Sequence, residues 1–294
     1  MHALTLIPLL FLLGFFLGIA GLLGLQVMLV VATIFAGRLF ASPRPPQMRI
    51  GVVATLACWI EEIVAGVLII TVTMPLERFL VPRDRAAARP GRYPVLLVHG
   101  YINNAGAMFT LADELARQGH AVHTINLEPV HGDIGRHAPK LDARIRAILA
   151  SSGAEKVVMA AHSMGGLAAR AYFRAFPQAP VAQLITLGSP HQGTPSAYTA
   201  WGRAGKQMRP GSGWLAALEA DEKQRAATHA DGARWPCPLL SIYSYDDNIA
   251  FPQNCARIGG AREMAIAGVG HMSLPMSRRV AQLVCEEILT PAQD

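Results

Sequence analysis

The chain has 294 residues, of which 52% are hydrophobic, so it can form one sizeable domain with an appendage or two small domains. Its formal net charge of +6 divides evenly, with a surplus of three positive charges before residue 90 and three after it. Neither surplus is large or clustered enough to follow a phosphate backbone, so we expect no nucleic-acid partner.

Two apolar stretches dominate the amino-terminal part of the chain. Residues 3–37 contain no charged side chain, and residues 50–73 form a second stretch. The first would give a helix of about 50 Å, longer than the hydrocarbon core of a bilayer at roughly 30 Å, so we expect a tilted or kinked span. The second has the length of one span. The sequence therefore predicts a membrane anchor of two hydrophobic helices over residues 1–80, arranged as a transmembrane hairpin.

Charged residues in and beside these stretches bear on how the hairpin would sit. Glu61 and Glu62 lie near the middle of the second stretch, where a carboxylate that faces lipid costs roughly 3 kcal/mol. We therefore expect both to face a partner helix, a cavity or an oligomer interface. The connecting loop has three arginines and no acid, which the positive-inside rule places in the cytoplasm, with the rest of the chain across the membrane. Five arginines after the second stretch argue against this orientation.

The remainder of the chain has the pattern of an α/β domain. Residues 81–93, rich in Arg, Ala and Pro, are predicted to form a linker, and residues 94–294 the domain itself. Short apolar runs alternate with amphipathic stretches, which predicts a mostly parallel sheet with helices on both faces. We predict strands over 95–98, 121–126, 156–161, 181–187, 239–243 and 263–267, and helices over 105–118, 141–149, 167–176 and 276–289.

The motif Ala-His-Ser-Met-Gly-Gly at residues 161–166 directly follows a predicted strand and opens a predicted helix. This context is that of a nucleophile elbow, a sharp turn that exposes a serine hydroxyl. Residues two positions before and after the serine must be small because the backbones converge there, and Ala161 and Gly165 meet this requirement. Ser163 is therefore the candidate nucleophile, and His162 beside it is expected to be structural.

A serine hydroxyl is a weak nucleophile near neutral pH and needs a histidine base that an acid orients. His271 lies in a glycine-rich loop between the last predicted strand and the last predicted helix, and we predict that it is the base. Asp246 and Asp247 follow the strand predicted over 239–243. The residue pattern leaves either aspartate as the acid.

The oxyanion that forms during acyl transfer needs two backbone N–H donors. One candidate is the N–H of Met164, directly after the serine, and the other is that of Tyr101 in the loop after the first strand of the domain. His99 and Gly100 would shape this loop. Candidates for the acyl site itself are Met164, Tyr101, Phe109 and Ile249.

The four cysteines include no pair and no Cys/His cluster with metal-ligand spacing, so we expect neither a metal nor another cofactor. Cys237 and Cys255 flank the stretch that carries the two aspartates. Either a disulfide braces this loop or the two are separate buried thiols, and both alternatives fit the sequence.

Five segments of the domain together resemble a known family: VLLVHGY, AAHSMGG, TLGSPHQGT, SIYSYDDNIAFP and GVGHMSLP, in this order. They are similar to bacterial triacylglycerol lipases and related esterases of the α/β-hydrolase fold, and most of all to small lipases with alanine at the elbow. The resemblance covers residues 94–289. It implies that the acid follows SIYS after two intervening residues, which selects Asp247 over Asp246, and that Tyr101 is a backbone donor. We expect an anchor in a bacterial inner membrane, and the positive-inside rule then places the domain on the periplasmic side.

Two features depart from the small lipases of this family, which lack both the apolar helices and the long stretch between Pro190 and Pro236. Residues 191–235 would form either a mobile lid over an acyl pocket or a fixed cap. We expect a lipase or esterase that cleaves acyl-ester or lipid substrates through the predicted serine, aspartate and histidine. Acyl transfer or thioester cleavage by the same residues is the alternative, and a non-catalytic membrane scaffold is a third. The sequence leaves the oligomeric state open.

Overall fold

In the computed structural model, which describes residues 3–87, 91–228 and 232–289, an α/β domain carries two long helices docked on it. The helices are α1 (Ala3–Leu39), α2 (Val52–Leu68), α3 (Glu77–Leu80), α4 (Phe109–Arg117), α5 (Ala138–Ser152), α6 (Met164–Ala175), α7 (Gly202–Gln207), α8 (Gly213–Thr228) and α9 (Arg278–Glu287). The strands are β1 (Asp84–Arg85), β2 (Val95–Val98), β3 (Val122–Ile125), β4 (Val157–His162), β5 (Val181–Leu187), β6 (Leu239–Ser244) and β7 (Arg262–Ile266). Short 3₁₀ turns cover Pro46–Met48, Ala105–Met108, Ile134–His137, Pro195–Tyr198 and Gln253–Ala256, and a π-helical turn, Ile69–Thr73, extends α2. The two ends of the chain and residues 229–231 of the predicted cap lie outside the described residues.

The strands form one sheet in the order β1-β3-β2-β4-β5-β6-β7. β1 runs antiparallel to β3, and every other neighbouring pair is parallel. Parallel neighbours need a crossover connection, which is why strands and helices alternate along the chain. The predicted mostly parallel sheet is confirmed, and all six predicted strands are present.

The core lies on both faces of the sheet. Along β2, Leu96 and Val98 pack in the cluster that contains α5 and α6. Val95 and Leu97 pack in the cluster that contains α4 and α9. A strand that is buried on both faces has no solvated position for a polar side chain. For this reason the uninterrupted apolar run over residues 95–98 predicted β2 correctly.

The structure differs from the predicted linker, residues 81–93, near its beginning. Asp84–Arg85 form β1 at the edge of the sheet. The Asp84 carboxylate accepts hydrogen bonds from His123 Nδ1 at 2.6 Å and from Arg144 Nη2 at 2.7 Å. These partners are distant in sequence, so the local composition alone does not reveal a strand of two residues.

α1 and α2 pack against each other as a helical hairpin. The side-chain amide of Gln26 donates to the Gly66 carbonyl at 2.7 Å, and the ring centroids of Phe35 and Trp59 lie 6.1 Å apart. By length and composition alone, each helix contains a segment able to span a bilayer. Only 11% of the most apolar part of the segment in α1, and 28% of that in α2, is buried. Packing inside the protein therefore does not account for the apolar surfaces of these helices.

The docking of the hairpin differs from the predicted transmembrane arrangement. Before α2, the connecting-loop residue Ser42 bonds to Gln253 and Asn254 at 2.8 and 2.9 Å. After α2, the Met74 carbonyl accepts from the Asn104 side chain at 3.0 Å. The connecting loop and the segment after α2 therefore contact the same domain, whereas two antiparallel spans would put the connecting loop across the membrane from it. The structure thus differs from the sequence-based expectation that the loop and the domain lie on opposite sides.

The two acids of α2 have different surroundings. Glu62 faces the domain rather than α1, on a buried face whose members recur every three or four residues: Cys58, Glu62, Ala65, Ile69 and Thr73. Glu61 is exposed and lines an open groove between α2 and α4. The opposite face of α2 exposes Val53, Leu56 and Ile60.

Candidate active site

Ser163 occupies a sharp turn between β4 and α6. Its φ of 55° and ψ of −125° lie in a region that residues other than glycine rarely adopt. A Cβ at Gly100 would lie 2.8 Å from Ser163 Cβ, and a Cβ at Gly165 would lie 2.7 Å from the His99 carbonyl oxygen. The turn therefore requires glycine at both positions. Ala161, fully buried in β4, is the other small neighbour of the serine.

Three predicted site residues from separate parts of the chain meet at this turn. Ser163 Oγ lies 3.0 Å from His271 Nε2. The two carboxylate oxygens of Asp247 lie 2.8 and 3.0 Å from His271 Nδ1. Asp247 follows β6 and His271 follows β7, so both come from the edge where the parallel strands end, which is where such sheets place their ligands.

The hydrogen bonds of His271 define which ring nitrogen carries the proton. A carboxylate can only accept, so Nδ1–H donates to Asp247 and the Nε2 lone pair faces the Ser163 hydroxyl. Burial lowers the pKa of His271, but the charge and hydrogen bond of Asp247 and the charge of Glu62 outweigh it and raise the pKa above its ordinary value. A neutral imidazole in this orientation can take the serine proton.

The two consecutive aspartates have different partners. Asp247 also accepts from two backbone N–H groups of its own loop, at 2.9 and 2.7 Å, which orient the carboxylate. Asp246 points to the hairpin, where it accepts from Arg38 at 3.1 Å and from Arg44 at 2.7 Å. The structure thus brings Asp247, and not Asp246, to His271.

The two predicted oxyanion donors flank Ser163. Met164 is the first residue of α6, where backbone N–H groups have no partner within the helix, and Tyr101 lies in the turn after β2. Within the described ranges, neither N–H donates a hydrogen bond to the protein. The Tyr101 hydroxyl donates to the Trp201 carbonyl at 2.7 Å, which ties this turn to the region after β5.

Two further histidines brace the loops around the serine. The Leu127 N–H donates to His99 Nε2 at 2.9 Å, so Nδ1–H of His99 donates to the Gly100 carbonyl at 2.8 Å. Burial lowers the pKa of His99 to about 4. The Nε2–H group of His162 donates to the His271 carbonyl at 3.0 Å, and burial lowers the pKa of His162 well below its ordinary value. Both rings are therefore neutral at pH 7.

An apolar cavity of about 290 Å³ opens beside Ser163 and His271. Its walls include Ile102, Pro190, Met208, Ile249 and Met272. Of the predicted acyl-site residues, Tyr101 and Ile249 line it, Met164 lies in the core, and Phe109 lines the groove between α2 and α4. The cavity is at the lower end of the size range of small-molecule sites, and its walls suit an acyl chain.

The region predicted as a lid or cap, residues 191–235, is fixed to the domain through α8. Arg170 of α6 forms a buried ion pair with Glu222 of α8, with 2.7 Å between Nε and Oε1. Arg234 also bonds to Glu222, at 2.9 Å. Ser196 and Ala197 of the same region line the cavity instead. In this structure α8 is therefore bonded to the domain through buried ion pairs.

Cys237 and Cys255 are separate buried thiols, so the disulfide alternative is not formed. Burial raises the pKa of Cys237 to about 12 and that of Cys255 well above its ordinary value. Among the residues that the structure describes, no group of three or more His, Cys, Asp or Glu side chains could hold a metal ion.

Several known proteins are similar to this chain. Residues 93–212 match the family model of the alpha/beta hydrolase fold. The crystal structure of Bacillus licheniformis lipase BlEst2 in mature form has a TM-score of 0.57 at 20% identity, over 69% of this chain and 94% of that chain. The chain is a protein of the α/β-hydrolase fold, similar to bacterial lipases. The structure of Aspergillus fumigatus lipase B is also similar to this α/β-hydrolase, with a TM-score of 0.52 at 18% identity, over 71% of this chain and 61% of that chain.

Two sequence relatives of this α/β-hydrolase are named triacylglycerol lipases. The one from Burkholderia plantarii is 32% identical over 156 residues, which are 50% of this chain and 43% of the relative. The one from Pseudarthrobacter phenanthrenivorans is 35% identical over 111 residues, which are 35% of this chain and 34% of the relative. The chain therefore spans less than half the length of either curated relative.

The hairpin also reaches the site, which the sequence alone does not predict. Thr33 of α1 lines the cavity and accepts from the Asn248 side chain at 2.7 Å. Asn248 in turn accepts from the His271 N–H at 3.0 Å. Glu62 of α2 binds the backbone directly after His271. The sequence contained one signal for this contact, which is an acid in an apolar helix. Such a group needs a polar partner, although the sequence does not say which.

Proposed function

We propose that this α/β-hydrolase is a serine hydrolase that cleaves carboxylic esters through an acyl-enzyme. Ser163 is the nucleophile, His271 the base and Asp247 the acid that orients it. The observation that carries the proposal is the distance of 3.0 Å between Ser163 Oγ and the unprotonated Nε2 of His271, on a turn with a φ of 55°. The likeness to triacylglycerol lipases supports esters as the substrate class.

The proton relay follows from this geometry. Ser163 Oγ attacks the ester carbonyl carbon as its proton passes to His271 Nε2, and the oxyanion accepts from the N–H groups of Tyr101 and Met164. When the ester C–O bond breaks, His271 gives this proton to the leaving alkoxide, and the acyl group stays on Ser163. Water then attacks the acyl carbon and passes a proton to His271, which returns it to Ser163 as the acid leaves. Asp247 stays ionised and stabilises the imidazolium.

The cavity supports an acyl-ester lipid as the substrate. Its apolar walls include Ile102, Met208 and Ile249, and it lies beside the hairpin, whose outer surface is also apolar. An acyl chain gains roughly 0.8 kcal/mol for each methylene that such walls remove from water. Nothing in these observations favours acyl transfer, thioester cleavage or a non-catalytic scaffold.

We further propose that the hairpin holds the protein on a membrane without α2 crossing it. An apolar outer face on a helix that lies along a polar domain suits the bilayer interface. A Cβ added at Gly18, Gly21 or Gly24 would meet no atom within 4 Å, so these positions of α1 leave room for lipid. Since the arginine-rich loop and the domain lie on one side, the positive-inside rule favours the cytoplasmic side over the periplasmic side that the sequence predicts. Carbonate extraction and protease protection of a carboxyl-terminal tag test both statements.

A fluorophosphonate probe tests the enzyme proposal directly. The wild-type protein should be labelled on Ser163 and should hydrolyse p-nitrophenyl esters, and Ser163→Ala should lose both properties. Ser196→Ala removes another hydroxyl from the same cavity and should keep the label. Labelling that persists in Ser163→Ala would contradict the proposal.

A further inference from the structure

Glu62 of α2 holds the loop that carries His271. Its Oε1 accepts from the Met272 N–H at 2.9 Å, and its Oε2 accepts from the Ser273 N–H at 2.9 Å and from the Ser273 hydroxyl at 2.8 Å. The residue is only 1% exposed. A Cβ at Gly270 would overlap its carboxylate, so the glycine makes room for this contact.

The chemistry of these contacts requires a carboxylate. Three donors converge on two oxygens, and no contact asks Glu62 to donate. An amide in the same place would turn its NH₂ group toward a donor. Hydrogen bonds to an ionised group are about twice as strong as those between neutral groups, so the carboxylate fixes the backbone after His271 firmly.

Three titratable groups surround the His271 ring from different elements. Asp247, after β6, binds Nδ1, and Glu62 approaches from α2. His162, at the end of β4, lies beside the ring, with 4.7 Å between the ring centroids and 45° between the ring planes. His162 is neutral because it is buried. Burial raises the pKa of Glu62, and the hydrogen bonds that it accepts from Met272 and Ser273 oppose this by favouring the ionised form. In that form, the charge of Glu62 is one of the causes that raise the pKa of His271. Cys58, one turn before Glu62, is buried on the same face of α2.

The hairpin also holds the loop of the acid. Asp246 binds two arginines of the hairpin, and Asn248 links Thr33 of α1 to the His271 N–H. The loop of Asp247 is thus bonded to α1 and the connecting loop, and the loop of His271 is bonded to α2. Neither loop depends on the domain alone for its position.

We propose that Glu62 is a positioning residue of the active site, through which the docked hairpin holds the loop of His271 in place. This inference rests on the proposed role of His271 as the base. It makes the hairpin a part of the active site and not only an anchor.

The test uses the full chain in detergent micelles and three variants: Glu62→Gln, Glu62→Asp and, as a matched control, Glu61→Gln, which changes the exposed neighbour. The first measurement is the titration of the His271 ring by NMR with ¹⁵N-labelled histidine. The second is the rate of fluorophosphonate labelling of Ser163 as a function of pH. Thermal unfolding of each variant identifies the folded samples.

Glu62→Gln removes a negative charge near the imidazole, so the pKa of His271 should fall. The low-pH side of the labelling-rate profile, its acid limb, should therefore move to lower pH. The maximal rate should fall at least about tenfold, because a hydrogen bond to a charged group is lost. Glu62→Asp keeps the charge and should slow labelling without moving the limb. Glu61→Gln should change neither quantity.

A His271 titration in Glu62→Gln that coincides with the wild type would overturn the proposal, as would an equal effect of Glu61→Gln. If Glu62→Gln does not fold, Glu62→Asp tests the proposal instead. This variant keeps the negative charge, so a shift of its acid limb would contradict a charge effect. The wild type could resist labelling while Glu62→Gln still moves the His271 titration. That result would refute the proposed function and support the coupling between Glu62 and His271. The two proposals can therefore fail separately.

Discussion

Asp246 and Asp247 are adjacent in the chain, yet their carboxylates bind different parts of the molecule. Asp247 lies 2.8 Å from His271 Nδ1, whereas Asp246 bonds to Arg44 at 2.7 Å and to Arg38 at 3.1 Å. The two side chains are equally buried, at 2% and 1% exposed. Their partners, and not their burial, distinguish the aspartate that binds His271 from the aspartate that binds the hairpin.

This difference predicts opposite consequences for the two amide substitutions. Asp247→Asn should lower kcat by about 10⁴-fold without unfolding the protein, because an amide no longer holds His271 in the tautomer that accepts the serine proton. Steady-state hydrolysis of p-nitrophenyl esters measures this change.

Asp246→Asn should instead lower the free energy of unfolding by roughly 1 kcal/mol, because it weakens the ion pairs with Arg38 and Arg44, whose side chains are 40% and 19% exposed. The folded fraction should retain most of its kcat. A larger loss of kcat in Asp246→Asn than in Asp247→Asn, at equal folded fraction, would reverse the assignment of the acid.

The pH dependence of ester hydrolysis should report His271. The imidazole accepts the serine proton only when neutral, so kcat/KM should be low below the His271 pKa and rise through it as the pH increases. Because the pKa is raised, the midpoint should lie above the ordinary histidine value of about 6.5. Profiles from pH 5 to 9, with thermal unfolding at each pH to confirm the fold, measure it. A midpoint near pH 4 would point to a carboxylate base.

The sheet and the turn at Ser163 can be predicted from the sequence because their signals are local. A strand that is buried on both faces is a short apolar run, and the elbow needs small residues at Ala161 and Gly165 within a few positions of the serine. The order of serine, acid and histidine along the chain then limits where the partners can lie. Asp247 needed the family resemblance, because the local pattern is the same for Asp246.

The docking of the hairpin could not be predicted, because its contacts join residues about 200 positions apart. Glu62 and Ser273 are separated by 211 positions, and Arg44 and Asp246 by 202. An apolar stretch of spanning length has the same composition whether one of its faces meets lipid or a protein domain. The connecting loop and the segment after α2 both meet the domain here, and only the tertiary structure reveals this.

The close approach at Gly100 gives a test of the turn. Gly100→Ala would put a methyl group 2.8 Å from Ser163 Cβ, so the serine or its loop must move. Displacement of reacting groups by about 1 Å can cost about 100-fold in rate, and we expect a loss of kcat/KM of this size. Gly213→Ala adds a methyl group with no atom within 4 Å and should leave kcat/KM unchanged. Equal activities of the two variants would show that the approach is not tight.

The cavity predicts a dependence on acyl length. Ala197 lines it and is 2% exposed, so Ala197→Phe should fill part of the cavity and exclude the end of a long chain. The loss of contact with two methylenes is worth about 1.6 kcal/mol, or roughly tenfold in kcat/KM. Long esters should lose at least this factor, while acetate should be little affected. Ala227→Phe, on the exposed side of α8, is the control, and an equal loss for all acyl lengths would place the acyl chain elsewhere.

Gly37 of α1 tests whether the docked hairpin supports the site. A Cβ at this position would lie 2.8 Å from Asn248 Cα, so the helix can contact the loop between Asp247 and His271 only because position 37 has no side chain. Gly37→Ala should move α1 away, weaken the bond between Thr33 and Asn248, and destabilise the protein by about 1–3 kcal/mol. The folded fraction should also lose kcat, because Asn248 holds the His271 N–H.

The matched control for this prediction is Gly24→Ala, on the same helix, where an added Cβ meets nothing within 4 Å. Both substitutions raise helix propensity by about 1 kcal/mol, so any difference between them comes from the contact with Asn248. Thermal unfolding and ester hydrolysis in detergent micelles measure the two effects. If Gly37→Ala behaves like Gly24→Ala in both assays, α1 does not support the loop of Asp247, and the hairpin acts on the site through Glu62 alone.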